Sequence, residues 1–303
     1  MNFEITFLGV SAAMPAFGRN QTSQIIHHHH ENYLVDCGEG TQLQLFKFYK
    51  KMSKIGHIFI SHLHGDHYFG LVALLSSMNM NQRDAPLHLY APAELAEILW
   101  VQNKVSGTFY HYPITFHEID STQSKTIYQN DFLTVQTIPL DHSLPCTGFL
   151  FQEKNRKKAL ISEKLIPEFS IADKVALKGG KDVIIGEKLY KNEDFTQEKR
   201  SRSYAFCSDT KYNERIVDQI KNVDVLYHEA TFLNEKAAEA TAKFHSTAEQ
   251  AAQIAQKANV KKLFLGHYSA RYKTLEGFLE ESRAVFPNTF LSLEGETVEI
   301  LDK

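Results

Sequence analysis

The stretch "SHLHGDHYFG" (61–70) constrains this chain more than any other. It continues the run "HIFIS" (57–61), whose apolar character predicts a buried strand, and it sets His62, His64, Asp66 and His67 within six positions. Imidazole nitrogens and carboxylate oxygens together suit a borderline divalent cation such as zinc. Residues two apart on an extended segment point to the same side, so His62 and His64 form one pair. Gly65 lets the backbone turn, which directs Asp66 and His67 toward a second position nearby. Two ligand pairs aimed in different directions are what a site with ions about 3.5–4 Å apart requires. Neither pair closes a coordination sphere, so further ligands must come from distant sequence.

Candidates stand at the C-terminal ends of other β-like runs: His142 after "TVQTIPLD", Asp209 after "SYAFCS" and His267 after "KKLFLG". Strand ends in a layered α/β protein gather at one edge, where loops build sites. A single histidine after a strand is more often a hydrogen-bonded structural residue than a ligand. The recurrence of the same placement alongside HxHxDH favours metal binding.

Further strands are predicted at 3–9, 32–38, 87–91, 131–140, 147–153, 203–209 and 223–230, with 131–140 and 147–153 as an antiparallel pair. Helical periodicity covers 40–52 and 246–258, the latter with Ser246 as N-cap and Glu249 at the capping-box position. Two β-rich halves alternating with helices predict an α/β fold of two sheets packed face to face with helices outside. The internal "HHHH" (27–30) interrupts a strand-like pattern and is expected to be a solvated strand or hairpin turn.

A net charge of −3 provides no global positive field for nucleic acid, so any such contact must come from local patches. The cysteines Cys37, Cys146 and Cys207 lack CxxC spacing, which fits a reducing compartment without a disulfide framework. With no leader-like N-terminus and no apolar run of spanning length, a cytoplasmic protein without membrane contact is expected. Residues 153–200 carry 12 Lys and Arg against 9 Asp and Glu with weak periodicity. On charge alone that segment reads as a surface excursion rather than a substrate grip.

Several motifs resemble the metallo-β-lactamase superfamily and, within it, the ribonuclease Z (tRNA 3′-processing endonuclease) family, over nearly the whole chain. They are "FLGVSAAMPAFGRNQTSQ" (7–24), "VDCGEGTQLQL" (35–45), "IFISHLHGDHYFGLVALL" (58–75), "HEATF" (228–232), "HSTAEQAA" (245–252) and "GHYSARY" (266–272). The resemblance implies an αββα sandwich of two mixed sheets over residues 1–303, with a small protruding arm inserted at about 155–200. It implies a zinc-dependent endoribonuclease that removes the 3′ trailer from precursor tRNA and leaves a 3′-hydroxyl, acting as a homodimer. Two zinc ions per subunit are implied, with manganese or iron as alternatives. His62, His64 and His142 would hold one ion, Asp66, His67 and His267 the other, and Asp209 would bridge them. Asp66 would also orient or deprotonate the attacking water, and Glu229 would hold His245 to protonate the leaving oxygen. Arg271 would grip a phosphate, with an ordinary surface arginine as the equal alternative. Gly38 and Gly40 would allow close backbone approach beneath the site or serve as turn glycines. The chain departs from the family at "CSDT" (207–210), where Ser-Gly-Asp-Thr is usual, with Asp209 still in register. In the arm, "FSIADKVALKGGKDVI" (169–184) keeps Leu177, Lys178 and Gly180 but lacks the Gly-Pro portion, leaving Lys178 and Lys181 as phosphate contacts. The competing readings are a binuclear hydrolase of small phosphodiesters or sulfate esters, and an RNA-binding protein with a vestigial site. The intact ligand set speaks against the last.

Overall fold

In β1 (Phe3–Gly9), Phe3, Ile5 and Phe7 alternate with Glu4 and Thr6, the period-two pattern that commits one strand face to a core. A computed structural model, which describes residues 2–154 and 157–301, extends this logic over two seven-stranded sheets. The first contains β1, β2 (Ser23–His28), β3 (Glu31–Val35), β4 (Ile55–Phe59), β5 (Leu87–Ala91), β6 (Ile114–Glu118) and the last strand, β18 (Thr297–Glu299), in the order β18-β1-β2-β3-β4-β5-β6. The second has β7 (Thr126–Gln129), β8 (Leu133–Leu140), β9 (Cys146–Glu153), β14 (Ser203–Cys207), β15 (Val225–Glu229), β16 (Lys262–Gly266) and β17 (Thr289–Leu291), in the order β17-β16-β15-β14-β9-β8-β7. From β18 inward and from β7 inward, both sheets pair antiparallel up to β3 and β14 respectively, then parallel to the far edge.

The sheets face each other across an aromatic layer. Phe59 stacks on Tyr90 with centroids 4.5 Å apart and meets Phe149 of the other sheet at 5.4 Å, while Phe7 meets Phe264 at 5.5 Å. Burying each such ring contributes about 1.5–3 kcal/mol. Outside the first sheet, the helix Leu71–Met80 packs Leu71, Leu74, Leu75 and Met78 onto Leu34, Ile58 and Leu89. Outside the second, the helix Ala248–Lys257 buries Ala248, Ala251, Ala252 and Ala255, whose small side chains let it lie close. The four-layered αββα architecture follows.

Three local expectations are corrected. The helix begun at Thr41 ends at Lys47 rather than near 52, and Tyr49 has φ 55, outside the helical range. The second helix is capped by Thr247, whose hydroxyl accepts from Gln250 N while Gln250 reciprocates; Ser246 Oγ instead donates to Thr210 O at 2.7 Å. His29, at φ 57, and His30 make the expected hairpin turn, but His28 is only 1% exposed and lies 3.0 Å from Glu153. Arg202 completes that buried cluster, with Nη2 2.7 Å and Nε 2.9 Å from the Glu153 carboxylate and Nη1 donating to Ile300 O.

Between β9 and β14 the chain forms its own small unit. Strands β10 (Ala159–Leu160) and β13 (Thr196–Gln197) pair, a hairpin joins β11 (Val183–Ile185) to β12 (Lys188–Tyr190), and Phe169, Leu177 and Val183 form a separate core. Leu177 is thus an anchor, whereas Lys178 and Lys181 are exposed. No helix among the described residues is long and apolar enough to cross a membrane.

Candidate metal centre

The loops after β4, β8, β14, β15 and β16 converge at one edge of the sandwich and bring His62, His64, Asp66, His67, His142, Asp209, Glu229, His245 and His267 together. His64 Nδ1 lies 3.0 Å from His62 Nε2 and 3.1 Å from His142 Nε2. On the other side, Asp66 Oδ2 lies 3.6 Å from His67 Nε2 and 3.4 Å from His267 Nε2. Asp209 sits between the groups and divides its oxygens. Its Oδ2 faces His62 at 3.8 Å and His142 at 3.9 Å, and its Oδ1 faces His67 at 3.4 Å and His267 at 3.2 Å.

Outer partners decide which ring nitrogen each histidine presents. Asp36 Oδ2 lies 2.7 Å from His67 Nδ1, Thr231 Oγ1 lies 2.8 Å from His267 Nδ1, and Phe244 O accepts from His142 Nδ1 at 3.0 Å. Ser61 Oγ lies 3.0 Å from His62 Nδ1 and itself donates to Asp36. With Nδ1 engaged in all four, Nε2 is left to face the centre, as in metal sites whose ligating histidines donate their other N–H to a carboxylate, hydroxyl or carbonyl. Asp36, Ser61 and Thr231 received no role from the sequence. Their spacing carries no signal, although Asp36 lay within the glycine-rich motif.

The centre is short of positive charge. Asp36, Asp209 and Glu229 are buried and Asp66 nearly so, yet the only buried Lys or Arg among the described residues is Arg202, next to Glu153 at the far end of β9. Burying carboxylates without cations costs several kcal/mol per ion. Burial alone would lower the His67 pKa, but Asp209, Asp66 and Asp36 outweigh it and hold the ring well above its usual value. Burial depresses His62 and His142, which keeps them as neutral imidazoles able to ligate. His67 Nε2 and Asp209 Oδ1 are buried without hydrogen-bond partners and lie 3.4 Å apart. Ligand bonds of about 2.0–2.2 Å around a tetrahedral zinc place neighbouring donor atoms at about that separation. The donor set fits a metal.

Glu229, the last residue of β15, accepts from the backbone of Thr210, Thr231 and Ser246, from Thr231 Oγ1 at 2.8 Å, and from His245 Nδ1 at 2.9 Å. Burial works against the His245 cation, but Glu229 and then Asp209 raise its pKa to about 9. His245 is also near enough to Asp209 and His267 to be counted among ligands, but its Nδ1 is committed to Glu229. The cleft over these groups, about 720 Å³, is also lined by Arg271 and Lys243, both paired to Glu239 at 2.7 and 2.8 Å. Lys243 carried no sequence signal. Gly38 lies beneath the ligand loop, where a Cβ would come 2.4 Å from Asp66 O; Gly40, with φ +83, is the turn glycine. Lys178 and Lys181 do not line the cleft.

Comparison with known proteins completes the assignment. A ribonuclease Z of Cytophaga hutchinsonii is 43% identical over 306 residues, covering 100% of this chain and 98% of its own, and one from Bacteroides fragilis (strain YCH46) is 41% identical over 301, covering 96% and 97%. The chain belongs to the ribonuclease Z family. The solved structure of the human tRNase Z short form matches with TM-score 0.73 at 25% identity, over 97% of this chain and 98% of that one. The metallo-β-lactamase fold protein YhfI of Bacillus subtilis shares the fold, with TM-score 0.70 at 16% identity over 99% and 100% of the two chains. A family model described as "Anti-Pycsar protein Apyc1" also matches residues 3–184, and the chain belongs to that family as well. That match ends before Asp209, Glu229, His245 and His267. The ribonuclease Z relatives, which match over nearly the whole chain, span those positions as well.

Proposed function

We propose that this chain is a zinc-dependent endoribonuclease that removes the 3′ trailer from precursor tRNA. The observation that carries the reading is the division of Asp209 between two ligand groups beside a Glu229–His245 pair, in a chain whose full-length relatives are named ribonuclease Z. His62, His64, His142 and Asp209 Oδ2 would hold one zinc ion; Asp66, His67, His267 and Asp209 Oδ1 would hold the other. When bound, such a pair lowers the pKa of water to about 7 and neutralises a phosphate in the cleft. Asp66, fixed by the Ala13 N–H at 2.7 Å, orients the attacking water. Glu229 accepts the His245 Nδ1–H and its charge holds the ring as an imidazolium, so His245 keeps a second proton on Nε2 and delivers it to O3′ as the P–O3′ bond breaks. The products are a 3′-hydroxyl on the mature RNA and a 5′-phosphate on the trailer. Arg271, once it exchanges Glu239 for a phosphate, grips the RNA backbone at the cleft.

In this reading the segment at about 155–200 is the arm that engages the tRNA body, with Lys178 and Lys181 as phosphate contacts, and the protein works in the cytoplasm as a homodimer. The dimer is supported by the outer helical layer, where Phe46, Met80, Trp100 and Val105 are 84%, 83%, 60% and 82% exposed.

The test is to strip the protein of metal, restore zinc and map cleavage of a precursor tRNA carrying a 3′ trailer. A zinc-dependent cut just after the discriminator base is expected, and deleting residues 165–195 should abolish it while sparing hydrolysis of a small phosphodiester. No cut, with the small diester still hydrolysed, would transfer the assignment to a small-phosphodiester hydrolase.

A further inference from the structure

Large apolar side chains rarely stand open beside a charged centre, yet the metal cleft has two. Phe69 is 61% exposed and Met14 58%, and both line it. Each is held by the metal-ligand loop itself. The Phe69 ring occupies the space a side chain at position 65 would fill, since a Cβ on Gly65 would lie 2.2 Å from Phe69 Cε2. Gly65 separates His64 from Asp66, so the ring is seated directly on the ligand loop, with Tyr68 edge-on at 5.0 Å. Met14 follows Ala13, a non-glycine residue at φ 57 whose N–H donates to Asp66 Oδ2 at 2.7 Å. A left-handed conformation strains an alanine, so the turn that presents Met14 is held by Asp66 through the Ala13 N–H.

We propose that Phe69, with Met14 beside it, is a stacking platform for the nucleobase next to the scissile phosphate. The inference rests on the ribonuclease reading and adds a base subsite to it. An aromatic face left open on one side offers a π-surface to any base, which suits a position where the sequence must vary. The cleft's cations, Arg271 and Lys243, would take the neighbouring phosphates, so the base side and the backbone side of one nucleotide are served by different residues. A scattered exposed phenylalanine would need no such account. Here the ring's seat on the ligand loop fixes its place relative to the reacting phosphorus, which a merely uncovered side chain has no reason to keep.

The experiment uses zinc-loaded protein in a His245→Ala background, where RNA binds without being cut, and precursor tRNAs carrying 2-aminopurine immediately before or after the cleavage position. Binding should quench the fluorescence at one of these positions. Phe69→Trp should retain the quench and Phe69→Leu lose it, with the dissociation constant raised about 5- to 150-fold in Phe69→Leu, the range for losing one base–aromatic stack. If Phe69→Leu also loses bound metal, Met14→Ala replaces it, with a partial loss of quench expected. Unquenched 2-aminopurine at both positions, with RNA bound and the parent protein cutting correctly, would overturn the subsite alone. RNA that is neither bound nor cut by the parent protein would overturn the ribonuclease reading and the subsite with it.

Discussion

Asp36→Asn isolates what the outer partners contribute to metal binding. Asp36 is fully buried at φ 55, a conformation asparagine tolerates, so the backbone has no reason to move. Its Oδ1 accepts from Ser61 N at 2.7 Å, and its Oδ2 accepts from Ser61 Oγ at 2.9 Å and faces His67 Nδ1 at 2.7 Å. An asparagine amide fails in either orientation. With its NH2 toward His67, the ring must move its proton to Nε2, the atom meant for the metal. With its NH2 toward Ser61, two donors meet and the ligand loop loses its backbone anchor. A buried donor left unsatisfied costs about 1–3 kcal/mol, so whichever orientation is cheaper still takes that much from the site. The expected result is an affinity loss of about 10- to 100-fold at the His67 side of the centre, the range found when the partners that orient ligating histidines are removed. Titrating metal-stripped protein with zinc against a chromophoric chelator measures this directly, and thermal unfolding of the metal-free forms controls for folding. Unchanged affinity for both ions would refute the tautomer argument.

Other predictions bear on the proton donor, the far end and the loop floor. Glu229→Gln keeps the shape but removes the charge that holds His245 protonated, so kcat should fall about 10²- to 10⁴-fold with little change in KM. The acid form is the active one, so the parent rate should decline as pH rises through about 9, and the variant should decline at lower pH. Burial opposes ionisation of Glu153, but Arg202 and His28 outweigh it and hold the carboxyl below its usual range. Its contribution to stability is therefore complete above the unfolded value of about 4.3 and lost as pH falls below that value. Glu153→Gln should cost about 3–5 kcal/mol at neutral pH by leaving Arg202 without its carboxylate, and should flatten the dependence of the urea midpoint on pH below that value; parallel curves would contradict this. Gly38→Ala forces a Cβ to within 2.4 Å of Asp66 O and 2.7 Å of Gln21 Cβ, so bound zinc should drop while far-ultraviolet circular dichroism persists.

The clustering of these residues was legible because they obey local rules: an HxHxDH run, and single residues placed just after apolar strands. The fully paired hairpin of β8 and β9 was legible for the same reason, since short-range alternation specifies it. What escaped were residues whose meaning arises only from long-range burial. Ser61 and Thr231 look like any loop hydroxyls until the fold sets them behind ring nitrogens. His28 looked like part of a solvated polar tract until Glu153, 125 residues away, closed over it. The choice between Ser246 and Thr247 as N-cap could not be made locally, because both are good caps and the decision fell to Thr210 O, which took the serine.

The sandwich is fastened across its layers at both ends of its strands. At one end His28 and the backbone of Ile300, from the first sheet, reach Glu153 and Arg202 of the second; at the other, Asp209 of the second sheet faces His62 and His67 of the first. The former clasp is made wholly of side and main chain, while the latter would, in the proposed reading, depend on a removable ion. Metal loss should therefore give the molecule a direction of opening: amide exchange would rise first at the catalytic lip and fade toward the strand ends near Glu153. In such an architecture the breathing of one edge would report metal loading.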